Sequence, residues 1–139
     1  MIYLLNLMVM AATIAQEAGG EPYSGKLAVG FVITARTKKR GKSILDVIFQ
    51  RDQFSCWRDD SPTKMNLDQL TEKAFAECVM AAMAAMNETD PDPTGGAEFY
   101  LNPEVVRRQT NKLPAWWDID GDPASEVTIG NHAFRRKRA

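Results

Sequence analysis

The chain is poor in the residues that build metal centres and cross-linked scaffolds. It has one histidine, His132, which excludes a multi-histidine metal site, and two cysteines, Cys56 and Cys78, too few for the dense framework of a small secreted domain. With no Cys-His motif near either thiol, both are expected to be buried and idle rather than catalytic. Nor is there an excess of charge of one sign: 17 basic side chains face 18 acidic ones, for a net −1, which excludes a uniformly basic nucleic-acid binder. No internal repeat or low-complexity segment occurs. The apolar opening, Met1 to Ala12, also lacks what export or anchorage would require. No Lys or Arg precedes it, and Asn6, Thr13, Gln16 and Glu17 interrupt it before a bilayer is crossed. No signal peptide and no transmembrane segment are expected, so passage across a membrane would need outside help such as a pore.

What remains is an ordinary globular composition. With 139 residues and 45% hydrophobic side chains, one domain over residues 1–139 is expected, large enough to bury roughly two thirds of its extended surface without staples. The near-neutral balance conceals a split. Arg135, Arg136, Lys137 and Arg138 supply four positives at the end, so removing them from the net −1 leaves −5 on residues 1–134. Removing a second run of five, Arg36, Lys38, Lys39, Arg40 and Lys42, leaves −10. The two runs read as local anion-facing patches or solvated edges, the last one as a basic tail over residues 135–139.

Leu4, Leu7, Met8, Ala11, Ala15 and Ala18 recur at spacings of three and four, which predicts a first helix ending at Gly19-Gly20. A second is expected from about Ser24, its cap, to Thr37, with Leu27, Ala28, Phe31, Val32 and Ala35 as its apolar face. Ser43 followed by Asp46 signals a short helix, residues 52–57 read as a loop, and the longest helix is predicted from Asn66 to about Glu88. Asp90-Pro91-Asp92-Pro93-Thr94-Gly95-Gly96 cannot continue it. Beyond that point strand and loop are expected, with strands over Ala97 to Leu101 and Val127 to Ile129, the second extended by Ala133-Phe134. The resulting fold class is α+β, N-terminal helices followed by a small antiparallel sheet.

Glu17 falls in the last turn of the first helix, where the negative end of the helix dipole and apolar neighbours both push a carboxyl toward its protonated form. A protonated carboxyl near neutral pH can serve as a general acid, the role of the raised-pKa glutamate in lysozyme. The competing reading is an exposed helix-end residue in an ordinary salt bridge. Glu21 lies four residues on, but Gly19, Gly20 and Pro22 prevent one continuous helix, so it reads as a loop residue that orders the turn or caps the next helix.

The stretch Glu17-Ala18-Gly19-Gly20-Glu21, followed by Pro22-Tyr23-Ser24-Gly25, resembles the Glu-Ala-x-Gly-Glu signature of the SleB-like cell wall hydrolases, the spore cortex-lytic type. Later blocks resemble that family in order: Asp46 to Gln50 with Gln53-Phe54-Ser55, Asp92 to Ala97, Tyr100-Leu101-Asn102-Pro103, and Ile129 to Phe134. The resemblance covers nearly the whole chain and implies a lysozyme-like peptidoglycan glycosidase, in many members a lytic transglycosylase, with Glu17 as the acid. It implies cleavage between N-acetylmuramic acid and N-acetylglucosamine, with a hydrolytic muramidase or a catalytically silent wall-binding or virion module as alternatives. Two features depart from the family. Ala35-Arg36 stands where members often have Asn-Arg, and no separate wall-binding domain accompanies the chain, which favours an endolysin-like phage member, held in the host cytoplasm until released to the wall.

Glu21, Gln53, Ser55, Tyr100 and His132 are the candidate substrate contacts, Tyr100 foremost; His132 also reads as a structural hydrogen bonder. Phe99, Trp57, Trp116 and Trp117 offer flat faces for sugar rings, with Trp116-Trp117 placed in a loop. Asp118 to Asp122 lacks the spacing of a calcium loop and reads as a turn. No cofactor and no metal are expected. The partners are glycan strands of peptidoglycan and, through the basic tail, anionic wall or outer-membrane groups; the protein is expected to be a monomer that binds no nucleic acid.

Overall fold

The computed structural model describes residues 1–50, 54–57 and 70–139, apart from the side chain of Ser55. Helix α1 (Ile2–Ala18) is built from Ala, Leu and Met, good helix formers, and stops at the glycine pair. Its buried side is Met10, Ala11, Thr13, Ile14, Ala15 and Ala18. Leu4 and Met8, expected in the stripe, are exposed, because burial along the helix sets in only at Met10. Helix α2 (Tyr23–Arg40) begins one residue before Ser24. Pro22 occupies the cap with φ −61°, a geometry its ring already imposes, and Ser24 is exposed.

Helix α2 is the centre of the molecule. Gly25 through Thr34 are buried without a break, so the apolar face expected on one side is in fact a helix surrounded by α1, by α3 (Ile44–Ile48) and by α4 (Glu72–Asn87). At Gly30 a Cβ would meet Ala85 Cβ at 3.0 Å, and that close approach lets α2 and α4 lie against each other. Ser43 caps α3 by accepting from the Asp46 amide at 3.1 Å, as its spacing predicts. Helix α4 starts at Glu72 behind a Thr71 cap, later than predicted; Leu70 and Thr71 are not helical, and the predicted start at Asn66 with Leu67 lies outside the described residues. With 16 residues it is shorter than α1 and α2, at 17 and 18.

The C-terminal third carries a three-stranded antiparallel sheet in the order β1-β3-β2, from β1 (Phe99–Leu101), β2 (Val127–Ile129) and β3 (His132–Arg135). Ala133-Phe134 does not extend β2. The chain reverses at Gly130-Asn131 and returns as the central strand, with Tyr100 opposite Phe134 and Thr128 opposite Ala133. Two helices occupy the part expected to be strand and loop: α5 (Pro103–Thr110), capped by the Asn102 side chain on the Val105 amide, and α6 (Ala115–Ile119). Proline at the first turn of a helix leaves no interior amide unpaired, so Pro103 starts α5 rather than preventing it. Together these elements make an α+β fold, mostly helical with one small antiparallel sheet.

Both basic runs have internal partners. The end of α2 holds the chain entering β1: Arg36 Nε donates to the Glu98 carbonyl at 2.7 Å, Lys39 Nζ to the Gly96 carbonyl at 2.8 Å, and the buried Glu98 carboxylate faces Lys39 at 3.6 Å and Arg40 at 4.0 Å. Arg135 belongs to β3 and not to a tail. Its guanidinium lies 4.4 Å from the centroid of the buried Trp117 ring and donates to Glu126, Asp118 and the Trp117 carbonyl, each at 2.8 Å. Lys137 bridges to Gly121, and the Arg138 amide donates to the Asp120 carbonyl, so the exposed terminal residues follow the 120–125 segment. Among the described residues no helix is long and apolar enough to cross a membrane.

Candidate active site

The C-terminal end of α1, the wall of α2 and the face of β1 enclose a cleft of about 850 Å³. Glu17 enters it from the last turn of α1. The Tyr100 hydroxyl, carried by β1, donates to Glu17 Oε2 at 2.8 Å. Burial, and then the Glu17 charge, push the Tyr100 phenol well above its usual 10, so it stays protonated and remains a donor. Its ring is fixed on two sides, stacked on Phe134 at 5.6 Å and edge-on to His132 at 5.4 Å. An anchored phenol therefore orients the carboxyl, with few rotamers left to either group.

Glu21 also borders the cleft, but its carboxylate is committed to the sheet. Oε1 accepts from the Asn131 amide at 3.1 Å, and Oε2 from Asn131 Nδ2 at 3.3 Å. Gly130, at φ +59°, lies so close that a Cβ would meet Glu21 Oε2 at 2.6 Å. His132 Nδ1 approaches Oε1 at 3.0 Å without the alignment of a hydrogen bond. Burial lowers the His132 pKa, and the Glu21 charge opposes that shift only in part. The backbone carbonyl of Glu21 is held from the other side by the buried Lys26, whose Nζ donates to it at 2.6 Å and faces Glu77 at 3.3 Å. Glu21 thus ties the α1–α2 corner to the β2–β3 turn, the ordering role its position in a broken helix suggests.

The remaining candidates divide. Tyr100 and His132 stand at the cleft with Glu17, although His132 is 8% exposed. Gln53 lies outside the described residues, as does the Ser55 side chain. Trp57 does not reach the cleft; its indole N–H donates to Thr13 Oγ1 at 3.0 Å and its ring meets Phe49. Trp116 and Trp117 sit on α6 rather than in a loop. Trp117 is buried under Arg135, whereas Trp116 is 41% exposed and borders the cleft with Phe99, ring centroids 6.1 Å apart. Both cysteines are buried; Cys56 borders the cleft, and burial raises the Cys78 thiol. Asp118 pairs with Arg135 and Asp122 caps the turn Pro123–Ser125, so neither is spare for a cation. Asn131 and Arg36 are the site residues that sequence reasoning missed: Asn131 stands there only within the Ile129 to Phe134 block, Arg36 only in a charge run and in the Ala35-Arg36 departure from the family pattern.

A helical domain with one small antiparallel sheet and a cleft where helix end and sheet meet has the lysozyme-like fold. Within that class the cell wall hydrolase family model matches residues 20–135, and the chain belongs to this family; Glu17 precedes the matched stretch by three residues. The fold is similar to the catalytic domain of the germination-specific lytic transglycosylase SleB from Bacillus anthracis, at a TM-score of 0.69 and 27% identity over 94% of this chain and 93% of that one. It is also similar to the catalytic domain of the Bacillus cereus SleB protein, at a TM-score of 0.67 and 26% identity over 94% and 89%. A spore cortex-lytic enzyme of Halalkalibacterium halodurans is 32% identical over 103 residues, 73% of this chain and 28% of that protein. One from Bacillus cereus is 27% identical over 73% and 36%. The chain therefore spans about a third or less of the length of these curated relatives.

Proposed function

We propose that this protein cleaves the glycan strands of peptidoglycan between N-acetylmuramic acid and N-acetylglucosamine, with Glu17 as general acid and then base. The observation that carries this reading is the 2.8 Å hydrogen bond from Tyr100 to Glu17 at the head of the cleft. A carboxyl held there can pass its proton to the glycosidic oxygen as the C1–O bond breaks and N-acetylglucosamine leaves with a free 4-hydroxyl. The Glu17 carboxylate then takes the proton of the muramic acid 6-hydroxyl as that oxygen bonds to C1. An anhydro ring closes, no water is consumed, and Glu17 is protonated again.

Transglycosylation is favoured over hydrolysis by the state of Glu21. A two-carboxylate mechanism needs a second acid free to act as nucleophile or to activate water. Both oxygens of Glu21 are instead occupied by Asn131. Mass spectrometry of digested peptidoglycan distinguishes the two: anhydro-muramyl ends are expected, and reducing ends alone would replace this mechanism with hydrolysis. Glycan binding without any product would leave only the silent wall-binding module.

A further inference from the structure

Arg36 lies about one turn before the end of α2 and is 6% exposed. Its Nε is used on the Glu98 carbonyl, and its guanidinium lies 5.2 Å from the centroid of the Phe54 ring. Its buried Nη1 has no hydrogen-bond partner. A buried cation ordinarily keeps a carboxylate in contact, because an uncompensated charge in a low-dielectric interior is strongly disfavoured. The nearest candidate, Glu98, already faces Lys39 and Arg40. Arg36 borders the same cleft as Glu17 and Tyr100, and the other negative group in its field is Glu17.

We propose that Arg36 is a positioning residue for Glu17, its fixed positive charge stabilising the carboxylate that Glu17 becomes on giving up its proton while Tyr100 holds the same group by its hydroxyl. Burial lowers the Arg36 pKa to about 10, which leaves it charged at neutral pH. The other ionisable groups that border the cleft are Arg40 on α2, Cys56 on the 3-10 turn Ser55–Trp57, Tyr100 on β1, Asp120 just after α6, His132 on β3, and Glu21. Of these only Arg36 combines full burial, positive charge and an unpaired donor. The arrangement matches the need of an acid that must donate and then act as a base: a preorganised charge costs nothing to reorient when the carboxylate appears.

This proposal rests on Glu17 being the acid, and two readouts keep the questions separate. Arg36→Gln retains a donor for the Glu98 carbonyl, Arg36→Met retains bulk, and Arg36→Lys retains charge; circular dichroism establishes which are folded. In the neutral variants kcat for glycan cleavage should fall about tenfold with KM changed less than about twofold, and the alkaline limb of the pH–rate profile should move up by about one unit, the equivalent of that factor in an ionisation equilibrium. Arg36→Lys should restore the limb. A limb that stays put in a folded neutral variant while the parent is active overturns the proposal. If the parent itself releases no product, the glycosidase reading fails and the proposal, which rests on it, fails with it.

Discussion

Tyr100 and Glu17 are 83 residues apart in sequence and 2.8 Å apart in the fold. Helix α1 ends where β1 passes, and the contact joins the helical half of the molecule to the sheet. Glu17→Gln should reduce wall clearing by at least about 10³-fold, near the upper range for a general acid, without lowering the thermal midpoint. Tyr100→Phe keeps the ring stacked on Phe134 but removes the donor, and kcat should fall about 10- to 100-fold, the equivalent of one hydrogen bond to a charged group. Turbidity clearing of purified walls checks both, and a Glu17→Gln variant with near-parental activity would move the acid elsewhere.

Gly130→Ala tests the corner held by Glu21. The left-handed φ disfavours any side chain, and the new methyl would run into the Glu21 carboxylate, so a loss of about 2–4 kcal/mol is expected from backbone strain plus overpacking. Urea denaturation measures it. Activity should fall in parallel, since the turn that moves carries Asn131 and His132.

Stability should depend on pH through His132, the only histidine. Burial places its pKa in the folded protein below the ordinary 6.5 of the unfolded chain, so below that value the unfolded state binds more protons. The neutral ring's contribution is complete above pH 6.5 and is lost as pH falls through the folded-state value. The urea midpoint should therefore decrease as the solution is acidified, and His132→Asn should flatten that slope. A slope identical in the variant assigns the dependence to other groups.

Within the terminal basic run, one residue should matter to folding and its neighbours should not. Arg135→Met removes three hydrogen bonds from a side chain stacked on Trp117, and a loss of about 2–3 kcal/mol is expected, discounted because Asp118 is largely exposed. Arg136→Ala and Lys137→Ala should change stability by less than about 0.5 kcal/mol. Their effect, if they attract anionic wall polymers, should be confined to binding at low salt. Thermal denaturation and salt-dependent wall sedimentation separate the two.

Trp116→Ala should raise KM for glycan about 5- to 20-fold while leaving kcat and stability nearly unchanged, because the ring is exposed at the cleft and contributes contact area rather than chemistry. Initial rates on soluble glycan fragments check this. A fall in kcat alone would place Trp116 next to the reacting bond.

The sequence by itself determined α1 to α4, because three- and four-residue periodicity and capping side chains such as Ser43 are local properties, but it read the stretches of α5 and α6 as strand and loop. It also brought out Glu17, first as a helix-end carboxyl with a competing salt-bridge reading and then, through the Glu-Ala-x-Gly-Glu resemblance, as the candidate acid. Its local signals misled where a neighbour, not the segment, decides burial. Leu4 and Met8 have core periodicity but lie exposed, and Arg135 reads as tail until Trp117 and Asp118 are folded beneath it. Only the tertiary structure decided what surrounds Glu17. Tyr100, Arg36 and the occupied carboxylate of Glu21 come together through contacts that span the chain, and no spacing rule reports the distance between groups that far apart. That the Glu21 carboxylate is held by Asn131, a residue 110 positions away, is likewise set by the fold alone.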